Sequence, residues 1–369
     1  MSPLDPWSTL PAKLVRWYRH AARDLPWRRT QDPYAVWISE TMLQQTRVET
    51  VVPYYERFLA ELPDMHSLAE ATEERVLSLW SGLGYYRRAR MLRAAAVRVV
   101  AQYGGRLPAD ATELRALPGI GPYTAGAVAS IAFRKPEALV DGNVARVLSR
   151  LFAIELDVKS AAGSVRLWTV ARQLVAQAKG NPGDYNQALM ELGATVCVAG
   201  KPRCDACPVA AWCEARRRGI ASELPRSAPR GLSPSVRRVA IVLASGSAVL
   251  LARRRPTGVF GGLWEPPFSV GESPAALAKL LRVKAGILAP CAGVVHVLSH
   301  QRMQITVFRG PIGRARRWPL PGADYDAVDV VPLAELPLRA HASLARKVLA
   351  AAGVLVLAKG PRRSVRSSR

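Results

Sequence analysis

The sequence predicts a two-domain protein, an all-helical half followed by a mixed α/β half, and three observations carry that reading. From about Leu10 to Gly219 the apolar residues recur at helical spacing, as in Glu74-Arg75-Val76-Leu77-Ser78-Leu79-Trp80, with Pro and Gly punctuating the pattern. Between Ala221 and Arg238 the composition shifts to Pro, Ser and Arg, with too few apolar residues to pack. Beyond it Val, Ile and Thr become enriched in short alternating runs. At 369 residues, 49% apolar and 22% charged, the chain is long enough for two cores.

Taken in order, residues 1–220 form the helical domain and 221–238 an extended linker. Residues 239–355 form the α/β domain, and 356–369 are a basic, Ser-rich disordered tail. Helices are expected over Thr112–Ala116, Tyr123–Phe133 and Asn143–Arg150, with Asp141 available as a cap. Strands are expected over Val239–Ala244, Ala248–Arg253, Gly293–Leu298 and Gln304–Phe308, and helices over Ser273–Ala285 and Ala340–Ala351.

Lys plus Arg exceeds Asp plus Glu by 52 to 28, a formal charge of +24 that favours a polyanion such as nucleic acid as partner. A genome biased towards Arg codons would explain Arg over Lys but not the net excess. No apolar run reaches the ~20 residues of a membrane span, and Met1–Leu10 has no signal-peptide pattern. We therefore expect a bacterial cytoplasmic, nucleoid-associated protein with no membrane partner. In a reducing compartment four of five cysteines crowded into one loop call for metal or catalysis rather than disulfides; Cys291 reads as a small buried hydrophobe.

That loop, Cys197-x6-Cys204-x2-Cys207-x5-Cys213, supplies four thiolates with no nearby His, which suits a 4Fe-4S cluster or tetrahedral zinc. One Cys-x2-Cys knuckle flanked by wider gaps favours the iron–sulfur cluster. Lys201 and Arg203 lie inside the loop, where a metal would fix them towards a phosphate. Upstream, Leu117-Pro118-Gly119-Ile120-Gly121-Pro122 joins two helix patterns as a helix–hairpin–helix would. Gly119 and Gly121 allow a tight turn, and the helix start after Pro122 can hold a DNA phosphate without reading sequence. About 20 residues on, Asp141 opens the next helix.

A backbone-gripping hairpin, then a carboxylate at a helix start, then a four-cysteine loop, resembles the iron–sulfur helix–hairpin–helix DNA glycosylases. Within that superfamily the chain is similar to the adenine DNA glycosylase (MutY) family, strongly over Leu25–Gly219 and weakly over Val239–Ala351. Val36-Trp37-Ile38-Ser39-Glu40-Thr41-Met42-Leu43-Gln44-Gln45-Thr46 looks like the family's catalytic motif, with Glu40 in the place of its acid. Position 123 is Tyr where lyase-competent relatives carry a Schiff-base Lys. A second domain follows the cluster and resembles the Nudix-like module that reads 8-oxoguanine, most clearly at Gly261-Gly262-Leu263-Trp264-Glu265-Pro266.

The resemblance implies one 4Fe-4S cluster and a monomer acting on double-stranded DNA with adenine opposite 8-oxoguanine or guanine. Catalysis falls to Glu40 as acid, its pKa raised by burial, and Asp141 as ionised stabiliser at a helix N-terminus, with Tyr123 and Asn143 orienting sugar or water. Gln45 and Tyr85 take wedge and strand-separating roles. Ser299 and His300 read the oxidised guanine, although Leu298 replaces the family's Phe before them. Gly271–Ile287 lacks the row of glutamates that holds Mg²⁺ in Nudix hydrolases, so this module is expected to bind and not hydrolyse. Two rivals fit less well: Glu40 and the second domain argue against a glycosylase of the same fold with another target base, and a DNA-binding redox sensor would leave Glu40 and Asp141 without a use.

Overall fold

A computed structural model describes residues 9–228, 234–313 and 317–356. The chain divides into two compact units, residues 1–71 with 91–230 and residues 72–90 with 231–369. In the first lie α1 (Leu10–Ala21), α2 (Pro33–Leu43), α3 (Val48–Glu61) and α4 (Met65–Glu70). There follow most of α6 (Arg87–Tyr103), then α7 (Ala111–Ala116), α8 (Pro122–Ile131), α9 (Gly142–Leu151), α10 (Ala161–Gln177), α11 (Pro182–Thr195) and the short α12 (Glu214–Arg217). The second unit begins with α5 (Glu73–Leu79).

Caps fix where these helices start. Asp32 accepts the Tyr34 and Ala35 N–H groups ahead of α2, Asp110 those of Thr112 and Glu113 ahead of α7, and Ser160 that of Gly163 ahead of α10. Two helices are apolar nearly all round: α2 buries every residue from Tyr34 to Met42, and α8 every residue from Thr124 to Ile131. Helices of that kind belong in the middle of a domain, so the polar groups on them, Glu40 above all, are carried inside by their neighbours.

In the second unit an eight-stranded mixed sheet runs β3-β2-β1-β7-β5, with β4 on β1, β6 on β7 and β8 on β2. The strands are β1 (Ser235–Ala244), β2 (Ala248–Arg254), β3 (Trp264–Glu265), β4 (Phe268–Val270), β5 (Ala289–Pro290), β6 (Val294–Val297), β7 (Arg302–Pro311) and β8 (Tyr325–Pro332). Ten-residue β1 and β7 pair in parallel, Ser235 opposite Arg302 through Ala244 opposite Pro311. Ile241, Leu243 and Leu250 of the sheet bury against Leu277, Ala278 and Leu281 on and just after α13 (Ala275–Leu280). A final helix, α14 (Ser343–Ala351), packs Leu344, Ala345, Val348 and Leu349 inward.

Several sequence expectations need adjusting. The stretch expected as an extended linker is partly packed on the helical unit. Leu224 is buried, its carbonyl accepts Arg150 Nε at 2.9 Å, Arg226 pairs with Glu155 at 2.6 Å, and the Ala228 N–H bonds Asp157 at 3.0 Å. At its other end β1 already starts at Ser235. The helix expected over Ser273–Ala285 stops at Leu280, because Arg282 takes a left-handed φ of +55°. The last helix begins at Ser343, since Ala340 is taken up in hydrogen bonding to Trp264. The short β3, β4 and β5 and the longer β8 carry too little alternation to be read. Cys291 is half-buried, and the expected tail lies outside the described residues apart from exposed Val356. No helix among the described residues is long and apolar enough to cross a membrane.

Candidate active site, cysteine loop and second cavity

Glu40, Tyr123, Asp141 and Asn143, distant in sequence, line one cavity of about 150 Å³ in the helical unit. Buried α2 supplies Glu40, the first turn of α8 supplies Tyr123, and Asp141 caps α9, with Asn143 two residues later. The Tyr123 hydroxyl donates a short hydrogen bond to Glu40 Oε2 and lies 3.5 Å from Met190 Sδ. Asp141 Oδ1 accepts the Val144 N–H at 2.7 Å, and its Oδ2 accepts Asn143 Nδ2 at 3.0 Å. Gln44 ties α2 to α8 through Thr124 at 3.1 Å.

Burial pushes the Glu40 carboxyl up to about 7. The Tyr123 hydrogen bond and the Arg28 charge act against this, while the Asp141 charge adds to it. Burial likewise keeps Tyr123 protonated, hence a donor. The expectation that the helix terminus would hold Asp141 low is corrected: burial outweighs the bonds from Val144 and Asn143, and its pKa rises above the ordinary value. Both carboxyls therefore move in the same direction, but only Asp141 has two hydrogen bonds that favour its ionised form.

Three charged residues of the wall escaped the sequence reading. Glu191, fully buried on α11, receives Arg23 at 2.8 Å and Arg28 at 2.7 Å. Its burial would raise its pKa, yet the two guanidinium hydrogen bonds bring it down to about 2. The one clue in the sequence was a Glu at an inward position of an apolar helix, which burial permits only when paired.

One helix, α9, runs from this cavity to the cysteine loop. Arg146 donates to Asn143 Oδ1 at 2.9 Å, to the Gly193 carbonyl at 2.6 Å and to the Cys197 carbonyl at 2.7 Å. One turn on, buried Arg150 reaches Cys197 Sγ at 3.3 Å and the Val198 and Gly200 carbonyls at 2.8 and 3.2 Å. Cys197, Cys204, Cys207 and Cys213 all face one small apolar cavity. Among the described residues no set of three or more His, Cys, Asp or Glu converges on one ion position. Four cysteines around one small apolar cavity suit a multi-iron cluster, and the cationic Arg150 beside Cys197 suits its anionic sulfurs. Burial pushes the Cys207 thiol up to about 11, so it would lose its proton only on binding a metal. Lys201 and Arg203 are exposed on the same loop.

In the hairpin between α7 and α8 the two glycines differ. Gly119 has φ +75°, and a Cβ there would stand 2.5 Å from Met91 Cβ, so the turn demands glycine. Gly121 has an ordinary φ of −89° and open space where a Cβ would be, at the N-terminus of α8. Gln45 sits exposed just past α2 with φ +57°.

A second, larger cavity of about 490 Å³ lies within the second unit. Tyr85, half-exposed with φ +50°, lines it together with Tyr86, Phe260, His296 and the β6–β7 turn. That turn closes through a 2.8 Å bond from the Leu298 N–H to the Gln301 carbonyl and leaves Ser299 and His300 exposed to the cavity. Where Nudix hydrolases carry metal-binding glutamates, α13 turns Leu277 and Ala278 into the core, and Glu272 pairs with Arg237.

The chain matches three family descriptions: HhH-GPD superfamily base excision DNA repair protein over residues 38–168, iron–sulfur binding domain of endonuclease III over 197–213, and NUDIX domain over 238–351. The second match, with the cavity the thiolates share, makes the loop an iron–sulfur site held by Cys197, Cys204, Cys207 and Cys213. Similar curated proteins are the adenine DNA glycosylases of Homo sapiens (40% identical over 360 residues, 80% of this chain and 65% of that one) and Mus musculus (39%; 80% and 69%). A third is that of Buchnera aphidicola subsp. Baizongia pistaciae (33% over 253 residues; 68% and 71%). The chain thus spans about two thirds of the mammalian relatives' length. Among solved structures, a thermostable thymine-DNA glycosylase is 30% identical with a TM-score of 0.52, over 57% of this chain and 97% of that one. A non-covalent endonuclease III–DNA complex shares the fold at 21% identity and a TM-score of 0.50, over 60% of this chain and 99% of that one. With these relatives, the buried Glu40 and half-buried Asp141 on one cavity, the iron–sulfur loop and a Nudix-like second domain in one chain, the protein belongs to the adenine DNA glycosylase (MutY) family.

Proposed function

We propose that the protein is a monofunctional DNA N-glycosylase that removes adenine paired with 8-oxoguanine or guanine in duplex DNA. It would act as a monomer on the chromosome of a bacterial cytoplasm. The observation that carries this reading is a buried Glu40, poised near neutral pH and bonded to Tyr123, in the same cavity as Asp141. An adenine inside a duplex is out of reach, so it must be flipped into that cavity, which is easier at a mispair.

Glu40, still protonated, gives its proton to a purine nitrogen, and the electron pair of the breaking glycosidic bond leaves with the neutral adenine. The ionised Asp141 faces the oxocarbenium-like sugar, held in place by the Val144 N–H and Asn143. Water then adds to the anomeric carbon and returns a proton to the Glu40 carboxylate. No amine stands at position 123, so the abasic sugar is released unopened. Gly119, Gly121, Lys201 and Arg203 grip the backbone, Gln45 and Tyr85 wedge the helix, and Ser299 and His300 read the opposite base. The open space at Gly121 gives a phosphate room against the α8 N-terminus. Cys197, Cys204, Cys207 and Cys213 would hold the cluster, which would keep their loop in shape; hydrolysis of the glycosidic bond needs no electron from it.

Duplexes carrying A opposite 8-oxoguanine, A opposite G, T opposite G, and thymine glycol test the reading. Adenine release from the first two alone is expected, and Glu40→Gln should lower its rate by ~10²-fold or more while mispair binding persists. Release of thymine, or a normal rate in Glu40→Gln, refutes it.

A further inference from the structure

Tyr85 stands on the rim of the second cavity in a conformation that L residues resist, and the residues around it show what holds it there. Arg88 lies over both the Tyr85 and the Trp80 rings, 5.4 and 5.5 Å from their centroids, and donates to the Gly84 carbonyl at 3.2 Å. Trp80 Nε1 donates to that same carbonyl at 3.2 Å. Next in sequence, Tyr86 is buried, and its hydroxyl donates to the His341 carbonyl at 3.0 Å and accepts the Gly82 N–H at 3.1 Å. The His341 N–H donates in turn to Ser81 Oγ at 3.0 Å. Two tethers of the Ser81–Tyr86 segment therefore end on one residue, His341, 255 and 260 residues away in sequence.

His341 is itself fixed. It forms a parallel bridge with Trp264, whose indole donates to Glu74 at 3.0 Å. The sheet that carries Trp264 also carries the turn with Ser299 and His300.

Resting on the reading that Ser299 and His300 face the base opposite the adenine, we propose that Tyr86 and Ser81 are positioning residues. By fastening the loop to His341 they keep Tyr85 on the same cavity as Ser299 and His300, so that the choice of opposite base depends on the Tyr86 hydroxyl. Tyr86 touches no reacting atom. Its hydroxyl decides where Tyr85 stands when the base enters, and a displaced Tyr85 costs the correct base more than the wrong one. Strained non-glycine residues of this kind persist only where their surroundings over-determine them.

The test uses the full cluster-containing chain and duplexes with a non-cleavable adenine analogue opposite 8-oxoguanine or opposite G. Tyr86→Phe removes one oxygen and keeps the ring; Ser81→Ala removes the other tether. The ratio of the two dissociation constants should fall about tenfold in Tyr86→Phe, and comparably in Ser81→Ala, with affinity for a matched duplex unchanged. A merely structural role would lower the melting temperature and weaken all three duplexes alike, leaving the ratio in place, and that result overturns the proposal. Wild-type protein that does not separate 8-oxoguanine from G refutes the underlying reading, and the proposal with it. Wild-type protein that does separate them, with both variants doing so equally well, refutes the positioning alone.

Discussion

Replacing Glu40 by Gln should make the protein more stable at alkaline pH, although it removes the proposed catalytic acid. In the folded protein burial raises the Glu40 pKa from an ordinary 4.5 to about 7. A group whose folded pKa is raised lends its full stability below the unfolded value and loses it as the pH climbs through the folded one. At 1.36 kcal/mol per unit, Glu40 costs the fold about 1 kcal/mol at pH 5.5, where it must take up a proton. At pH 8.5, where it is ionised and buried, the cost is about 3 kcal/mol. Gln has nearly the same shape, is neutral throughout, and can still accept the Tyr123 hydroxyl. Its advantage should therefore widen by about 2 kcal/mol between the two pH values. That is roughly 4–8 °C in melting temperature for a unit of this size. Differential scanning calorimetry of both proteins at pH 5.5 and 8.5 reads this directly. An offset that is the same at both values would show that Glu40 titrates normally in the fold, and the acid role would lose its basis.

Other consequences follow from the same geometry. Wild-type protein should leave abasic sites that nick only after alkali, and borohydride should trap no covalent adduct; abundant trapping would contradict the reading of Tyr123, whose hydroxyl is occupied by Glu40. The hairpin glycines should part company. Gly119→Ala, strained in φ and crowded by Met91, should destabilise the fold by about 1–3 kcal/mol. Gly121→Ala should keep its melting temperature but bind duplex DNA several-fold more weakly in a filter or anisotropy titration; equal effects of the two on stability would refute the distinction. Loss of the iron–sulfur cluster should weaken DNA binding, because the four cysteines that would hold it belong to the loop that bears Lys201 and Arg203. Unchanged affinity in protein shown by its absorbance to lack the cluster would remove that role.

Much of the helical half is legible because local rules and global packing agree there. Asp141 is a good cap in the sequence and a cap in the structure, with α9 starting at Gly142. The cysteine spacing already named a metal loop. What the sequence hides are partners set by tertiary folding: Glu191 with Arg23 and Arg28, and Arg146 between Asn143 and Cys197. An Arg on a helix face reads as solvated until its acceptors are known. The rise in the Asp141 pKa was hidden for a related reason, since capping follows from neighbours in sequence and burial does not. In the second domain β3 and β5 are two residues long, too short for any period, and the membership of residues 72–90 in that unit rests on contacts such as Tyr86 to His341 that no local pattern announces.

The proposed chemistry needs Glu40 as a proton donor tuned by burial, with an ionised Asp141 beside it. The most direct measurement is the single-turnover rate of adenine release from a duplex with A opposite 8-oxoguanine, followed from pH 5.5 to 9. The rate should fall tenfold per pH unit above about 7, with the Glu40→Gln variant slow at every pH. A rate that holds level through pH 9, or a Glu40→Gln variant that keeps the wild-type profile, would contradict it.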